Sequence, residues 1–129
     1  MKSILLSIKP EYVDKIIQGT KKYEYRKHLA KKTVDSIFIY CTHPTMKVVA
    51  KIEVIDIIAA APSTLWEGTK ISAGISRKKY REYFKGCKTA YAYKLGDIQV
   101  FDPPKTLQDF NVLLAPQSFV YINENLKVN

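Results

Sequence analysis

The sequence of 129 residues is poor in the residue types that build disulfide frameworks and metal centres. Its two cysteines, Cys41 and Cys87, lie far apart and predict free thiols, not a disulfide scaffold. Its two histidines, His28 and His43, show no Cys-x-x-Cys or His-x-x-x-His ligand spacing, so we predict no metal and no cofactor. No apolar run approaches the roughly 20 residues of a membrane-spanning helix, and the first apolar run ends too early for a secretory signal. These shortages predict a cytoplasmic protein without a membrane partner.

Acidic residues are also scarce, at 12 against 21 basic ones, which gives a formal net charge of +9. Residues 21–32 hold six basic residues against Glu24 alone, and residues 77–88 hold six against Glu82 alone. We call these ranges the first and second basic clusters. Focused positive charge suits a polyanion, because each neutralised phosphate releases condensed counterions. A solvated, solubilising surface is the alternative that charge alone leaves open.

The apolar content is sufficient for one folded domain, at 47% hydrophobic residues with nine tyrosines and five phenylalanines. Alternation predicts strands at 3–9, 22–26, 36–41, 47–58, 89–95, 98–101 and 118–122, with a turn at Gly96-Asp97 and a break at 102–104. Capping signals predict short helices from Pro10, Pro62 and Ser76. We therefore predict an α+β domain over 1–123, a small β-barrel of about six strands with short helices packed around it, followed by a polar tail at 124–129.

The stretch from Gly19 to Arg26 joins a predicted helix to a predicted strand. An apolar stripe favours a helix over 10–18, and Gly19 is placed where a helix end needs a positive φ. In the strand that follows, Glu24 and Arg26 fall on one face, while Lys21 remains at the turn, free to reach over it. The pattern predicts a compact polar site of Lys21, Glu24 and Arg26.

Three interpretations of this site remain open. It is a salt-bridged patch that closes the barrel mouth, as exposed ion pairs are common. Alternatively, Lys21 and Arg26 grip phosphate while Glu24 accepts from an unpaired base and tyrosines stack on it. In the third interpretation Lys21 has a lowered pKa and Glu24 serves as general base.

The spacing Gly-x-Lys-x-x-Glu-x-Arg resembles the signature of ASCH domains, which belong to the PUA-like β-barrel superfamily. The resemblance extends to four further segments: Ser7-Ile8-Lys9-Pro10, Ala73-Gly74-Ile75-Ser76, Pro116-Gln117-Ser118 and Tyr121-Ile122. It implies a PUA-like fold and a function among RNA binding, nuclease activity and deacylation of a modified nucleoside. It also adds Ser7, Lys9, Gln117 and Ser118 to the candidate site.

One departure from the family bears on the reaction. Small acetylcytidine amidohydrolases of this superfamily carry a threonine nucleophile three residues after the motif lysine, and Glu24 occupies that position here. The nucleophile of that amidohydrolase mechanism is therefore missing from its place. Water attack assisted by Glu24, and RNA cleavage with Lys21 and Glu24 as the catalytic pair, are the remaining alternatives.

The predicted helix after Ser76 carries three cations in its first turn, where the helix dipole disfavours them. This misfit indicates that an anionic partner approaches the helix. We expect an RNA- or nucleotide-binding module of RNA metabolism or of transcription or translation regulation, acting as a monomer. The alternatives are a hydrolase of a modified nucleoside or of RNA that uses Lys21 and Glu24, and a regulatory domain for a small ligand. The predicted binding residues are Ser7, Lys9, Lys21, Glu24, Arg26, Arg77, Lys78, Lys79, Gln117 and Ser118.

Overall fold

The computed structural model describes residues 2–122, so the predicted tail at 124–129 lies outside the described residues. Within that range the strands are β1 (Ser3–Ile8), β2 (Tyr23–Arg26), β3 (Ser36–Cys41), β4 (Lys47–Ala60), β5 (Ala90–Lys105) and β6 (Phe119–Ile122). The α-helices are α1 (Pro10–Gln18), α2 (Pro62–Thr69) and α3 (Arg77–Tyr83), with 3-10 turns at Lys70–Ser72 and Gln108–Phe110.

The six strands form one sheet in the order β2-β5-β4-β3-β1-β6. β1 pairs with β3 in parallel, and the remaining neighbours are antiparallel. The sheet curls into a half-barrel with short helices around it, which confirms the α+β barrel-like prediction. β2 and β6 are the two edge strands of this sheet, and β1 is the neighbour of β6. Curling therefore brings β2 towards β1 from the opposite edge.

Two apolar clusters position the elements that matter for function. The main core joins α1, through Val13 and Ile16, to buried residues of the sheet such as Ile4, Ile39 and Tyr93. The second cluster packs α2 and α3 against β2, and it consists of Tyr25, Leu65, Ala73, Tyr80, Phe84, Ala90 and Ala92. Trp66 is partly buried against this cluster, with its ring 4.8 Å from that of Tyr80, so it fills core space. α1 is thereby fixed on the main core, and α2 and α3 are fixed on β2 and β5.

The first helix forms as its sequence predicts. Pro10 occupies the first helical turn, where its missing N–H costs no hydrogen bond. Gly19 ends the helix with a φ of 85°, a left-handed conformation that disfavours other residues. The N–H groups of Thr20 and Lys21 then both donate to the Lys15 carbonyl, which sets the direction in which the chain enters β2.

The predicted turn at Gly96-Asp97 is wrong, because β5 continues through it. β4 and β5 pair as Ile52 with Ile98 and as Val54 with Leu95, so two steps along β4 match three along β5. The extra residue is a β-bulge, which bends the strand without ending it.

The predicted break at Asp102-Pro103-Pro104 is wrong for a similar reason. β5 runs to Lys105, which pairs with Val48, while Val100 pairs with Ala50. The ladder therefore carries additional β5 residues between these two pairs. Proline lacks the N–H that a regular ladder needs, and a register irregularity accommodates it.

Candidate functional site

A pocket of about 650 Å³ opens where the end of β1, the start of α1, β2 and α3 meet. Its lining joins basic, acidic and aromatic side chains from elements far apart in sequence. The lining residues are Ser7, Ile8, Lys9, Glu11, Tyr12, Lys21, Glu24, Tyr25, Arg26, Thr42, Ile75, Lys79, Glu82, Tyr83 and Gln117. The three motif residues Lys21, Glu24 and Arg26 thus share one concavity.

The structure brings most of the predicted site residues together, but not all. Seven of them line the pocket, namely Ser7, Lys9, Lys21, Glu24, Arg26, Lys79 and Gln117. Arg77 and Lys78 are exposed in the first turn of α3 and do not line the pocket. The side chain of Ser118 does not line it either, although its carbonyl accepts from the Ser7 N–H at 3.1 Å. Ser7 also donates through Oγ to the Pro116 carbonyl at 2.7 Å, and so fixes the segment that presents Gln117.

Lys21 is buried, with 3% of its surface exposed, and does not remain free at the turn as predicted. Its Nζ donates to the Ala73 carbonyl oxygen at 2.7 Å. The same Nζ lies 4.9 Å from the ring centroid of Tyr25 and 5.3 Å from that of Tyr12, within the range of cation–π attraction. The ammonium is therefore held in one place at the wall of the pocket.

Burial lowers the pKa of Lys21 to about 8, because the charged ammonium is removed from water. The negative charge of Glu24 opposes this effect, and the positive charges of Lys15 and Arg26 add to it. Near neutral pH a minority of the protein therefore carries a neutral amine at this position.

The segment 72–74 packs on Lys21 and accepts hydrogen bonds from its neighbours Lys22 and Lys15. Lys22 donates its N–H to the Ser72 carbonyl at 2.9 Å, and Lys15 donates from Nζ to the Gly74 carbonyl at 3.2 Å. Gly74 has a φ of 63° and lies directly on the Lys21 stem. A Cβ at Gly74 would lie 2.6 Å from the Cγ and 2.9 Å from the Cδ of Lys21, closer than atoms can pack. Only glycine fits there.

Arg26 and Glu24 form a fixed ion pair. The Nε and Nη2 of Arg26 donate to Oε2 of Glu24 at 3.1 and 2.8 Å, and the Glu24 side chain is only 9% exposed. Arg26 also donates from Nη2 to the Ser7 carbonyl at 3.0 Å, which ties edge strand β2 to β1 across the opening of the half-barrel. This is the salt-bridged closure that the sequence left open as one interpretation. Both bonds reach Oε2, so neither of them uses Oε1 of Glu24, and this residue also lines the pocket.

The sequence did not single out the aromatic walls of the pocket. Tyr12 lies beside the apolar stripe of α1, and Tyr83 lies on α3 three residues after the buried Tyr80, so the sequence does not distinguish either from a core residue. The Nζ of Lys27 lies 4.9 Å from the ring centroid of Tyr83, so the first and second basic clusters meet at this wall. Long-range packing, not spacing, is what places Tyr83 here.

The charge of the pocket is mixed. Four cations line it, Lys9, Lys21, Arg26 and Lys79, against three acids, Glu11, Glu24 and Glu82. At the rim, Nζ of Lys79 lies 3.5 Å from Oε2 of Glu11. Most basic residues of the two clusters therefore do not line the pocket.

Among residues 2–122 no group of three or more His, Cys, Asp and Glu side chains is arranged to hold a metal ion. None of the helices in that part of the chain is long and apolar enough to cross a bilayer.

Comparison with known proteins places the fold and the motif in one family. The model of the ASCH domain matches residues 6–101. The chain belongs to the ASCH family. ASCH domains are PUA-like RNA-binding modules, and the residues matched include the Lys21–Arg26 motif and the wall formed by α3.

Two relatives of this ASCH domain differ greatly in length. An ASCH domain-containing ribonuclease from Zymomonas mobilis is 31% identical over 103 residues, which cover 79% of this chain and 70% of that protein. An ATP synthase subunit alpha from Ureaplasma parvum is 30% identical over 121 residues, 93% of this chain but 15% of that protein. The chain thus spans only a small part of the second relative.

Solved structures agree with the family assignment. A crystal structure of ASCH from Zymomonas mobilis superposes with a TM-score of 0.87 at 28% identity, covering 95% of this chain and 89% of that one. A structure of a mutant of the same protein gives a TM-score of 0.87 at 27% identity, covering 96% and 92%. The half-barrel with its helices is therefore the architecture of an ASCH protein.

Proposed function

We propose that this ASCH domain binds unpaired RNA, with a base inside the pocket and the adjoining phosphates at its rim. The observation that carries the proposal is that one pocket combines a buried acceptor and a buried donor with exposed cations. Glu24 and Lys21 are buried where they line the pocket, whereas Lys9 and Lys79 are exposed where they line it. A nucleotide presents matching groups, because its base carries uncharged hydrogen-bond donors and acceptors and its phosphates are anionic.

The inner wall favours a base over a phosphate. A carboxylate can only accept hydrogen bonds, so Oε1 of Glu24 attracts a base N–H and repels a phosphate oxygen. Arg26 has its Nε and Nη2 engaged by Glu24 and Ser7, so it supports the wall and does not grip phosphate through a two-bond fork. Lys21, with three donors and one of them on Ala73, supplies the complementary donor.

The side walls favour a base that has left its stack. Tyr12 and Tyr83 line the pocket, and aromatic rings stack on unpaired bases without regard to sequence. Stacking of this kind contributes about 1–3 kcal/mol per base. A duplex hides both faces of its bases, so it is excluded from such a pocket. The proposal assumes that the chain acts as a monomer. It also assumes that the protein is in the cytoplasm, where single-stranded RNA is available.

The test compares two lysines that flank the same strand. Lys9 follows β1 at the pocket, and Lys2 precedes β1 at its opposite end, roughly 20 Å away by strand geometry. We expect Lys9→Ala to weaken binding of a single-stranded oligoribonucleotide and to reduce the salt slope by about 0.7, the value for one phosphate contact. Lys2→Ala removes the same charge and is the matched control. Equal losses in the two variants, or binding insensitive to salt, would reject cleft binding.

A second candidate function is cleavage of the bound RNA. Two observations favour it. The first is the burial of Lys21 beside the Ala73 carbonyl, which lowers the pKa of the lysine to about 8. The second is the relative from Zymomonas mobilis whose name is ASCH domain-containing ribonuclease. In such a reaction neutral Lys21 accepts the proton of a ribose 2′-hydroxyl as that oxygen bonds to phosphorus. The bond from phosphorus to the 5′-oxygen breaks, and that oxygen takes a proton from water. Glu24 orients the nucleotide or serves as the base in place of Lys21.

Cleavage has a distinct signature. We expect a 2′,3′-cyclic phosphate product, and a rate that rises with pH and levels off above about 8 as Lys21 loses its proton. Lys21→Met and Glu24→Gln are the informative variants, with a cooperative urea unfolding transition as evidence that each is folded. Undiminished cleavage in both variants would remove this activity from the pocket.

A further inference from the structure

We infer that Glu11 sets the strength of RNA binding by occupying Lys79, and that an incoming phosphate takes the place of the Glu11 carboxylate. This inference rests on the proposed function, and it concerns the rim of the same pocket. According to this inference Glu11 determines the affinity for RNA, although Glu11 does not itself contact the phosphate.

The pair bridges two helices at the pocket mouth. Glu11 lies in the first turn of α1 and Lys79 in the first turn of α3, and both line the pocket. Their charged atoms are 3.5 Å apart, and the side chains are 50% and 57% exposed. The backbone of Lys79 is fixed, because its N–H donates to the Ser76 hydroxyl at 3.1 Å. The pair can therefore open through side-chain rotation alone, without movement of either helix.

The exchange is energetically easy. Exposed ion pairs at such a distance are weak, since water and salt screen them. A phosphate carries negative charge over several oxygens, and it can replace one carboxylate oxygen beside the ammonium. A lysine that stays partly paired with Glu11 neutralises a phosphate less completely, so fewer cations condensed on the RNA are released and the salt dependence of binding is smaller.

The test removes the carboxylate and keeps the shape of the side chain. We expect Glu11→Gln to bind a single-stranded oligoribonucleotide about two- to five-fold more tightly at low salt, in line with the weakness of an exposed pair. Its plot of log K against log salt, between about 50 and 200 mM, should be steeper than that of the wild type by up to about 0.7. Asp14→Asn is the matched control, because Asp14 is an exposed acid one turn further along α1 that does not line the pocket.

A third comparison identifies Lys79 as the residue through which Glu11 acts. In a Lys79→Met background, Glu11→Gln should give no more than the small gain that Asp14→Asn gives. Equal gains from Glu11→Gln and Asp14→Asn in the wild-type background would overturn the inference, since net charge would then explain both. A full gain without Lys79 would also overturn it. Wild-type protein that binds no RNA would reject the proposed function itself, which separates that failure from the failure of this inference.

Discussion

Gly74→Ala offers a direct measure of how tightly the chain fixes Lys21. The new methyl group would meet Cβ, Cγ and Cδ of Lys21, and the first of these is attached to the backbone of a clamped segment. Lys21 cannot therefore escape by rotating only the end of its side chain. We expect the methyl group to push the lysine away from the Ala73 carbonyl and from the Tyr25 ring.

A second glycine supplies the reference for this change. Gly86 also has a positive φ, 82°, but a Cβ there would have nothing within 4 Å. In both positions alanine costs about 1–2 kcal/mol for its left-handed conformation. Gly86→Ala should therefore reduce the free energy of unfolding by that amount alone. Gly74→Ala adds the cost of overpacking, about 1–3 kcal/mol.

Urea unfolding measures the stability difference, and NMR titration of the lysine side chains measures its cause. In Gly74→Ala the displaced ammonium becomes hydrated, so the pKa of Lys21 should rise from about 8 towards its usual value, while Gly86→Ala should leave it near 8. Equal losses of stability in the two variants, with Lys21 still titrating near 8 in both, would refute the close packing of Gly74 on Lys21.

Two further predictions concern the stability of the site. A pKa lowered from 10.5 to about 8 means that the Lys21 ammonium destabilises the fold by up to about 3 kcal/mol at pH 7, so Lys21→Met should be the more stable protein in urea titrations. Between about pH 8 and 10.5 the unfolded chain binds more protons than the folded protein, so the free energy of unfolding of the wild type should rise relative to that of Lys21→Met across that window. A less stable Lys21→Met, or a difference in unfolding free energy that does not change with pH, would contradict a free-energy cost of burying the ammonium. Arg26→Lys should lower the free energy of unfolding by about 1–3 kcal/mol, because one ammonium cannot reproduce the bonds to Glu24 and Ser7 that close the half-barrel; an unchanged urea midpoint would show that the closure contributes nothing.

Local chemistry explains why the start of the site was predictable from the sequence. Pro10 and Gly19 delimit α1 as predicted, since each acts through its own φ and its own missing groups. The pairing of Glu24 with Arg26 follows from the two-residue period of a strand. Such features depend on neighbours within one turn or one strand, so they can be read without knowledge of the fold.

Contacts that depend on the packing of distant elements were not predictable. Lys21 reaches Ala73, 52 positions away, because α2 and the segment after it are inserted between β4 and β5 and fold back over β2. The same insertion brings Tyr83 to the pocket and Lys79 to Glu11. Spacing along the chain gives no signal of any of these. The bulges of β5 were missed for another reason: Gly-Asp and Pro-Pro usually mark turns, and only a long partner strand such as β4 overrides them.

The burial of Lys21 is the strongest reason to regard the pocket as more than a structural feature. In residues 2–122 no carboxylate lies within 4.0 Å of its ammonium, and a carbonyl oxygen and two ring faces hold it instead. A leucine or methionine would fill the same space without the cost of removing a charge from water. Arg26 differs, because its contacts with Glu24 and Ser7 close the half-barrel and so justify its presence on structural grounds alone. The Lys21 amine destabilises the fold, yet Ala73 and Gly74 hold it in one position. Binding of a ligand by this amine would explain why it is kept there. Lys21 is therefore the residue on which binding and cleavage should be tested first.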